Sequence, residues 1–451
     1  MYWANFLHFY QPPTQKEFWV RKITQESYRP IILGLLKYPR AKITLNVSGT
    51  LIEQFDKYGE TDIIEAIKKL LENNQIELTG SAKYHTLLPF LPKDEVIRQI
   101  QLNEETLKKY FGSLWQKKGF FPPEMGFSKE IAEIVKELGY QWIIADEYSF
   151  EQNKLPIDYS KIYQINGLDN FYIFFRERKT SWLILSGQLG TGKLLVESLG
   201  KRLEENNYLL TAMDGETFGH HRPGLENLLW EIYSHEKIRP VLISDLPTLF
   251  PNKETVNPKP STWALMAKDL EKNKPFSRWD DKDNKIHQMQ WELTNLALSS
   301  IKLADQKMAD YSIARSMLDQ ALHSDQYWWA SARPWWSIEM IERGAKELLE
   351  SILKMPNIPQ ANKEKAAELY KNIIFTAFDW QREGIVDELA NKEDEEIRQR
   401  TDAQMPRLPK DEIDKMVAKL NEELKSVVNN QEFERAAQIR DRIKELQKYI
   451  A

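Results

Sequence analysis

Two short stretches carry acids in positions suited to proton transfer. In AMDGETFG (212–219), Asp214 and Glu216 stand two residues apart at the end of the apolar run 209–213. In a continuing strand, side chains at i and i+2 share one face. In GFFPPEMGFS (119–128), Glu124 follows another apolar run and a Pro-Pro pair that stiffens the backbone. Glycosidic cleavage needs two carboxyl groups flanking a sugar: one protonates the leaving oxygen, the other acts as nucleophile or base. The donor must keep its proton near neutral pH, which burial or a neighbouring acid arranges. Glu216 is such a neighbour. Trp328, Trp329, Trp335 and Trp336, in HSDQYWWASARPWW (323–336), offer flat faces for pyranose rings. The same rings serve equally well as core between two domains.

The elements that must carry these acids are legible in the first half of the chain. Runs at 3–7, 43–47, 76–79, 119–121, 142–145, 209–213 and 241–244 are nearly all apolar, as buried parallel strands are. Helical stretches lie between them. In 128–138, Ser128 is placed to cap, Ile131, Ile134, Val135 and Leu138 form one face, and Gly139 ends the helix. Alternating strands and helices predict an α/β fold with a closed or nearly closed parallel barrel. His8, Ser48, Gly80, Glu124, Asp146, Asp214 and Asp245 fall at or just past strand ends, on the rim where such barrels collect catalytic groups.

Beyond a predicted linker at 257–261 the pattern turns helical, over 285–320, 335–355 and 362–382. A charged stretch, 383–409, reads as an exposed helix end and linker. Two amphipathic stripes follow: Ile413, Met416, Val417, Leu420, Leu424 and Val427, then Phe433, Ala436, Ala437, Ile443 and Leu446. With Asn429-Asn430 as the turn they predict a helical hairpin. The expected domains are a barrel (1–255), a helical domain completing the cleft (256–400) and the hairpin (409–451).

The 451 residues carry a net charge of −5 and no cysteine. No nucleic-acid surface is therefore expected, and disulfides, thiolate nucleophiles and cysteine-ligated zinc are excluded. No apolar run approaches the roughly 20 residues that span a bilayer. MYWANFLHFYQPP lacks the pattern of a signal peptide, so a cytoplasmic protein is expected. GQLGTGKL (187–194) nearly matches a phosphate-binding loop, but Leu194 stands where a hydroxyl residue would bind magnesium, and a plain Gly-rich turn is expected. His220-His221 are adjacent and point apart, so neither a metal nor a cofactor is expected.

On these motifs the chain resembles glycoside hydrolase family 57, whose members act on α-glucans as amylases, 4-α-glucanotransferases, branching enzymes and pullulanases. Five short regions correspond in order: His8-Phe-Tyr-Gln11-Pro12; Ile76-Glu77-Leu-Thr-Gly80; Gly119-Phe-Phe-Pro-Pro-Glu124; Met213-Asp214-Gly-Glu216; and Asp325-Gln-Tyr327-Trp328. The resemblance implies an incomplete (β/α)7 barrel with a helical domain packed on it. It implies Glu124 as nucleophile and Asp214 as acid/base in a retaining hydrolase or transglycosidase on an oligo- or polysaccharide. His8, Gln11, Glu77, Glu216 and Asp325 would hold sugar hydroxyls, with Phe121 and Trp328 also at the substrate. Three departures touch substrate contacts: Tyr10 replaces a histidine, Phe121 a tryptophan, and Trp329 a histidine. The stretch 429–446 resembles the UVR motif, which implies a protein partner or self-association through 409–451; a hairpin packed on its own domain is the alternative. A catalytically silent carbohydrate-binding or adaptor protein is the rival to the enzyme.

Overall fold

A computed structural model describes residues 1–151, 156–333, 335–393 and 409–448. Ten strands are present: β1 (Tyr2–Phe9), β2 (Ile43–Val47), β3 (Ile76–Leu78), β4 (Gly119–Phe120), β5 (Trp142–Asp146), β6 (Ile162–Ile165), β7 (Tyr172–Arg176), β8 (Tyr208–Asp214), β9 (Arg239–Val241) and β10 (Lys253–Val256). They form two sheets, β3-β2-β1-β8 with β9 beside β1, and β10-β6-β7-β5-β4. A parallel bridge, Gly80 to Phe120, joins β3 to β4. The Glu177 amide donates to the Leu210 carbonyl at 2.8 Å and joins β7 to β8. The circuit β8-β1-β2-β3-β4-β5-β7 is thus an incomplete (β/α)7 barrel, held at its last seam by few hydrogen bonds.

Strand alternation sets what faces inward. Phe6, Phe121, Trp142, Ile144, Phe174, Leu210 and Ala212 fill the barrel with Ile243. Leu7, Phe9, Ile43, Leu45 and Val47 face the helices outside. Six of the expected runs are barrel strands. The seventh differs: 241–244 is the end of β9 and a turn whose Ile243 and Ser244 amides donate to Thr44 Oγ1 and Glu77 Oε1, plugging the barrel's N-terminal end. Its place is taken by β7, which pairs antiparallel with β6 and parallel with β5, so it reads in sequence as part of an outer hairpin. The predicted helix forms over Lys129–Glu137, with Ser128 accepting from the Ile131 amide.

The second half is a bundle of Lys285–Leu303, Ala309–Ala321, Ile338–Lys354 and Gln360–Arg382 around Leu293, Ala297, Leu318, Leu348 and Ile373. It is bolted to the barrel by Arg315, bidentate on Glu95 at 2.8 and 2.9 Å, and by Arg98 on Asp319. The predicted linker is strapped to the barrel instead of hanging free, since Lys259 N donates to Ser149 O and Ser261 bridges to Phe127. The charged stretch 383–409 is only partly described, with 394–408 outside the described residues. Its Glu393 is buried rather than exposed, because Arg278, Lys268 and Arg333 converge on its carboxylate. Arg278 also reaches Asp269 at 2.5 Å.

Removing one partner of a buried ion network leaves the others desolvated and uncompensated. Arg278→Met is therefore expected to cost about 3 kcal/mol of stability, read as a lower urea midpoint. Lys392→Ala, which breaks the exposed pair with Glu388, is expected to change the midpoint little.

Candidate active site

The acids meet at the C-terminal rim. Asp214 is the last residue of β8, in register with His8 on β1. The strand stops there, and Gly215–Thr217 turns into a 3-10 helix. Glu216 consequently leaves the strand's alternation and points at other partners: Tyr28 OH donates to its carboxylate, and Gln11 Nε2 does so at 3.2 Å. Glu124 sits on the turn Pro123–Met125 with φ of +59°, and Met125 follows at +48°. Left-handed backbone at non-glycine residues costs about 1–3 kcal/mol each and persists only when the surroundings impose it. The strap imposes it here: Trp263 N donates to Glu124 O at 3.2 Å and Trp263 Nε1 to Glu124 Oε2 at 2.8 Å.

A chain of neutral imidazoles lies beside these acids. His8 Nδ1 stands 2.7 Å from Asn46 Oδ1, its Nε2 3.0 Å from His85 Nε2, and His85 Nδ1 3.0 Å from Ser324 Oγ. Asn46 Oδ1 can only accept, so His8 carries its proton on Nδ1 and accepts at Nε2 from His85. Burial lowers both histidines, His85 to about 4, and keeps the pair uncharged. His323 behaves oppositely. Burial disfavours its charge, but Asp325 at 3.0 Å and Glu347 at 3.1 Å raise it to about 10. Burial also works against Asp325, yet His323 outweighs it and keeps that carboxyl ionised below its ordinary range. Tyr10 OH donates to Asp325 at 2.6 Å while its ring stacks on His85 with centroids 4.0 Å apart. Tyrosine at this position thus links barrel to bundle.

The three acids at the centre are all raised. Burial, then the charge of Asp214, pushes Glu124 up to about 8 against the Trp263 hydrogen bond. Burial raises Asp214 to about 6, opposed by Arg176. Burial and Asp214 bring Glu216 to about 8, opposed by Tyr28. Phe121, fully buried, packs its ring 4.7 Å from His8 and 5.5 Å from Trp263.

The structure brings Glu124, Asp214, His8, Gln11, Phe121, Glu216 and Asp325 to this end of the barrel. It does not bring Glu77, whose carboxylate accepts from Thr44 at 2.7 Å and from the Ser244 amide, within the plug at the other end. Trp328 lies partly buried against Trp279, with centroids 5.1 Å apart. Trp329 and Trp336 pack on the bundle core, whereas Trp335 is 48% exposed. Sequence reasoning missed Trp263, His85, His323, Arg176 and Glu347. Trp263 lay just past the predicted linker, where an aromatic in a Pro-rich strap was the available signal. Arg176 and Arg178 clamp Asp146 and stand 3.5 and 3.4 Å from Trp263 O; the RER that begins on the last residue of β7 was their trace. Among the described residues no group of three or more His, Asp or Glu is arranged to hold a metal, and no helix is long and apolar enough to cross a membrane.

Residues 6–257 match Glycosyl hydrolase family 57, and the chain belongs to that family. Residues 414–449 match the UvrB/uvrC motif. An alpha-amylase of Pyrococcus horikoshii is 26% identical over 267 residues, 56% of this chain and 41% of that enzyme. A 4-alpha-glucanotransferase of Thermococcus litoralis is 24% identical over 280 residues, 58% of this chain and 42% of that enzyme. The chain therefore spans about two fifths of the length of these curated relatives. The solved family 57 branching enzyme of Pyrococcus horikoshii shares the fold, with a TM-score of 0.61 at 15% identity over 84% of this chain and 96% of that one.

An acid whose folded pKa lies above its unfolded value binds the extra proton only in the folded state, so stability falls as pH rises through that window. For Glu124 the window runs from 4.5 to about 8. Glu124→Gln keeps the acceptor for Trp263 and removes the penalty. It is expected to raise the melting temperature over wild type at pH 9 and to make little difference at pH 4.5.

Proposed function

We propose that the protein is a retaining glycoside hydrolase or transglycosidase acting on α-linked glucans. Glu124 attacks the anomeric carbon and forms a covalent glycosyl-enzyme, and Asp214 protonates the departing oxygen. Asp214 then takes a proton from the incoming water or sugar hydroxyl, and the second displacement restores the α configuration. The observation that carries this reading is that two half-buried carboxyls, Glu124 on the turn after β4 and Asp214 at the end of β8, meet at one barrel rim, where the charge of Asp214 helps raise Glu124. Family membership and the amylase and glucanotransferase names of the relatives support the α-glucan substrate.

The proton must change places for this chemistry. In the free cleft Glu124 is the weaker acid, about 8 against about 6 for Asp214. The mechanism needs the proton on Asp214 and the charge on Glu124. Positive charge developing at the anomeric carbon lies against Glu124 and favours its ionised form, and the Trp263 N–H does the same. Asp325, kept ionised by His323, and Gln11 supply fixed partners for sugar hydroxyls. Trp263, half-buried on the strap, supplies a flat face, and Phe121 lies behind it with no exposed surface.

A mechanism-based label for retaining glycosidases, incubated with the protein and mapped by peptide mass spectrometry, is expected on Glu124. Maltooligosaccharide turnover followed by early NMR is expected to release α-anomers first. Asp214→Asn is expected to slow turnover by roughly 10²–10⁴. Initial release of β-anomers, or neither label nor turnover on any α-glucan, would overturn the reading.

A further inference from the structure

The terminal hairpin, Lys410–Asn429 and Phe433–Lys448, packs on its own barrel. Ile413, Met416, Leu420, Val427, Ile439 and Ile443 join one apolar cluster with Leu183, Leu194 and Leu225. Its polar anchors fall in two places. At one end Arg442 Nη2 donates to Gly187 O at 3.0 Å, and Lys193 and Thr191 hold Asp411 and Glu412. At the other, Arg435 is buried and its Nη1 donates to the carbonyl of Gly219, the last residue of AMDGETFG.

Arg435 touches more than that loop. It pairs with Glu423 on its own hairpin at 2.9 Å and stands 4.0 Å from Glu26. Glu26 in turn pairs with His220, next to Gly219. Glu26 belongs to the π-helical turn Thr24–Tyr28. From the same turn Ser27 Oγ donates to Gly215 O at 2.8 Å, and Tyr28 holds Glu216. Turn and loop approach so closely that a Cβ on Gly219 would lie 2.0 Å from Glu26 O. One guanidinium therefore ties together the two backbone segments that aim Glu216 and follow Asp214.

We propose that Arg435 is a positioning residue for the acids of the active site, so that the hairpin forms part of the catalytic architecture and not only a separate tail. The apolar stripe and the Arg442 end make docking contacts that do not involve Arg435. Burying a cation is costly unless it is paired, and here the charge is met by the Gly219 carbonyl, by Glu423 of the hairpin and, at 4.0 Å, by Glu26 of the turn that supports the site. Loss of the Gly219 contact loosens the 215–220 loop and lets Glu216 drift from Tyr28 and Gln11.

The proposal rests on Asp214 and Glu216 working as proposed above, and its test separates the two. Full-length Arg435→Gln and Arg435→Lys are compared with Arg442→Gln, at the distant anchor, and with Arg440→Gln, whose side chain is exposed beside Asp441. Hydrogen exchange of residues 214–221 is read with kcat and KM on maltooligosaccharides. Expected for Arg435→Gln are faster exchange in 214–221 and kcat lower by roughly 2- to 30-fold with KM little changed. Partial recovery is expected in Arg435→Lys, and neither effect in Arg442→Gln or Arg440→Gln. Unchanged exchange in 214–221 for Arg435→Gln would overturn the proposal. So would unchanged kcat, or the same losses in Arg442→Gln. If the wild type turns over no α-glucan, the activity reading falls while the exchange comparison still decides the role of Arg435.

Discussion

Three carboxyls, Glu124, Asp214 and Glu216, meet at one barrel rim, the last buried and the others half-buried, and desolvation and the charge of Asp214 oppose ionising all of them at once. Burial raises each, and the charge of Asp214 raises Glu124 and Glu216 further. Nearly every element at the rim answers to that constraint. β7 contributes Arg176, whose charge opposes the rise at Asp214. The strap after β10 contributes the Trp263 N–H, and the turn after the first helix contributes Tyr28. The two histidines closest to the centre are kept neutral by burial, so they add hydrogen bonds without adding charge. The bundle supplies the one histidine held charged near the site, His323, and spends that charge on Asp325 and Glu347.

The same constraint explains the strained turn at Glu124. A carboxyl that must face Asp214 across the barrel mouth cannot continue the direction of β4, which ends two residues before the Pro-Pro pair begins. The chain instead enters left-handed backbone at two successive residues. It is held there from outside by a strap that bridges Phe127 to Ser261 and places Trp263 on both the carbonyl and the carboxylate of Glu124. Arg176 and Arg178 reach the carbonyl of Trp263 while gripping Asp146. The geometry of Glu124 is thus fixed by a strap whose Trp263 lies 139 positions away.

Much of the barrel was legible because its strands are short apolar runs followed by a residue of a different kind. Asp214 and Glu124 could be picked out on that ground before any relative was considered. What the local pattern could not give was pairing. β7 resembles the second arm of a surface hairpin, and only its contact with β5 makes it a barrel strand. The run 241–244 has a strand's composition but serves as a plug. Glu77 sits within a recognisable motif, yet its carboxylate faces that plug. The i, i+2 spacing of Asp214 and Glu216 suggested one shared face, and the turn at Gly215 removed the premise. Trp263, His85 and His323 lie outside or between the motifs, where their roles come from tertiary contact alone.

The Gly-rich turn 187–193 shows the same lesson from the other side. Its sequence nearly fits a phosphate cradle, and it does open a helix capped by Thr191. In the fold its small residues serve contact with the hairpin: a Cβ on Gly187 would lie 2.4 Å from Arg442 Nη2, and one on Gly190 2.4 Å from Met416 Sδ. Lys193, which would reach phosphates in a true loop, is engaged with Asp411 and Glu412. The hairpin's apolar stripes are likewise turned inward on the barrel, leaving Arg440, Asp441 and the end near Phe433 outermost. Two features that looked unrelated in sequence, a near-miss nucleotide motif and a repair-type helical hairpin, are therefore the two sides of one interface. Its far edge ends at Gly219, the residue that closes the acidic segment.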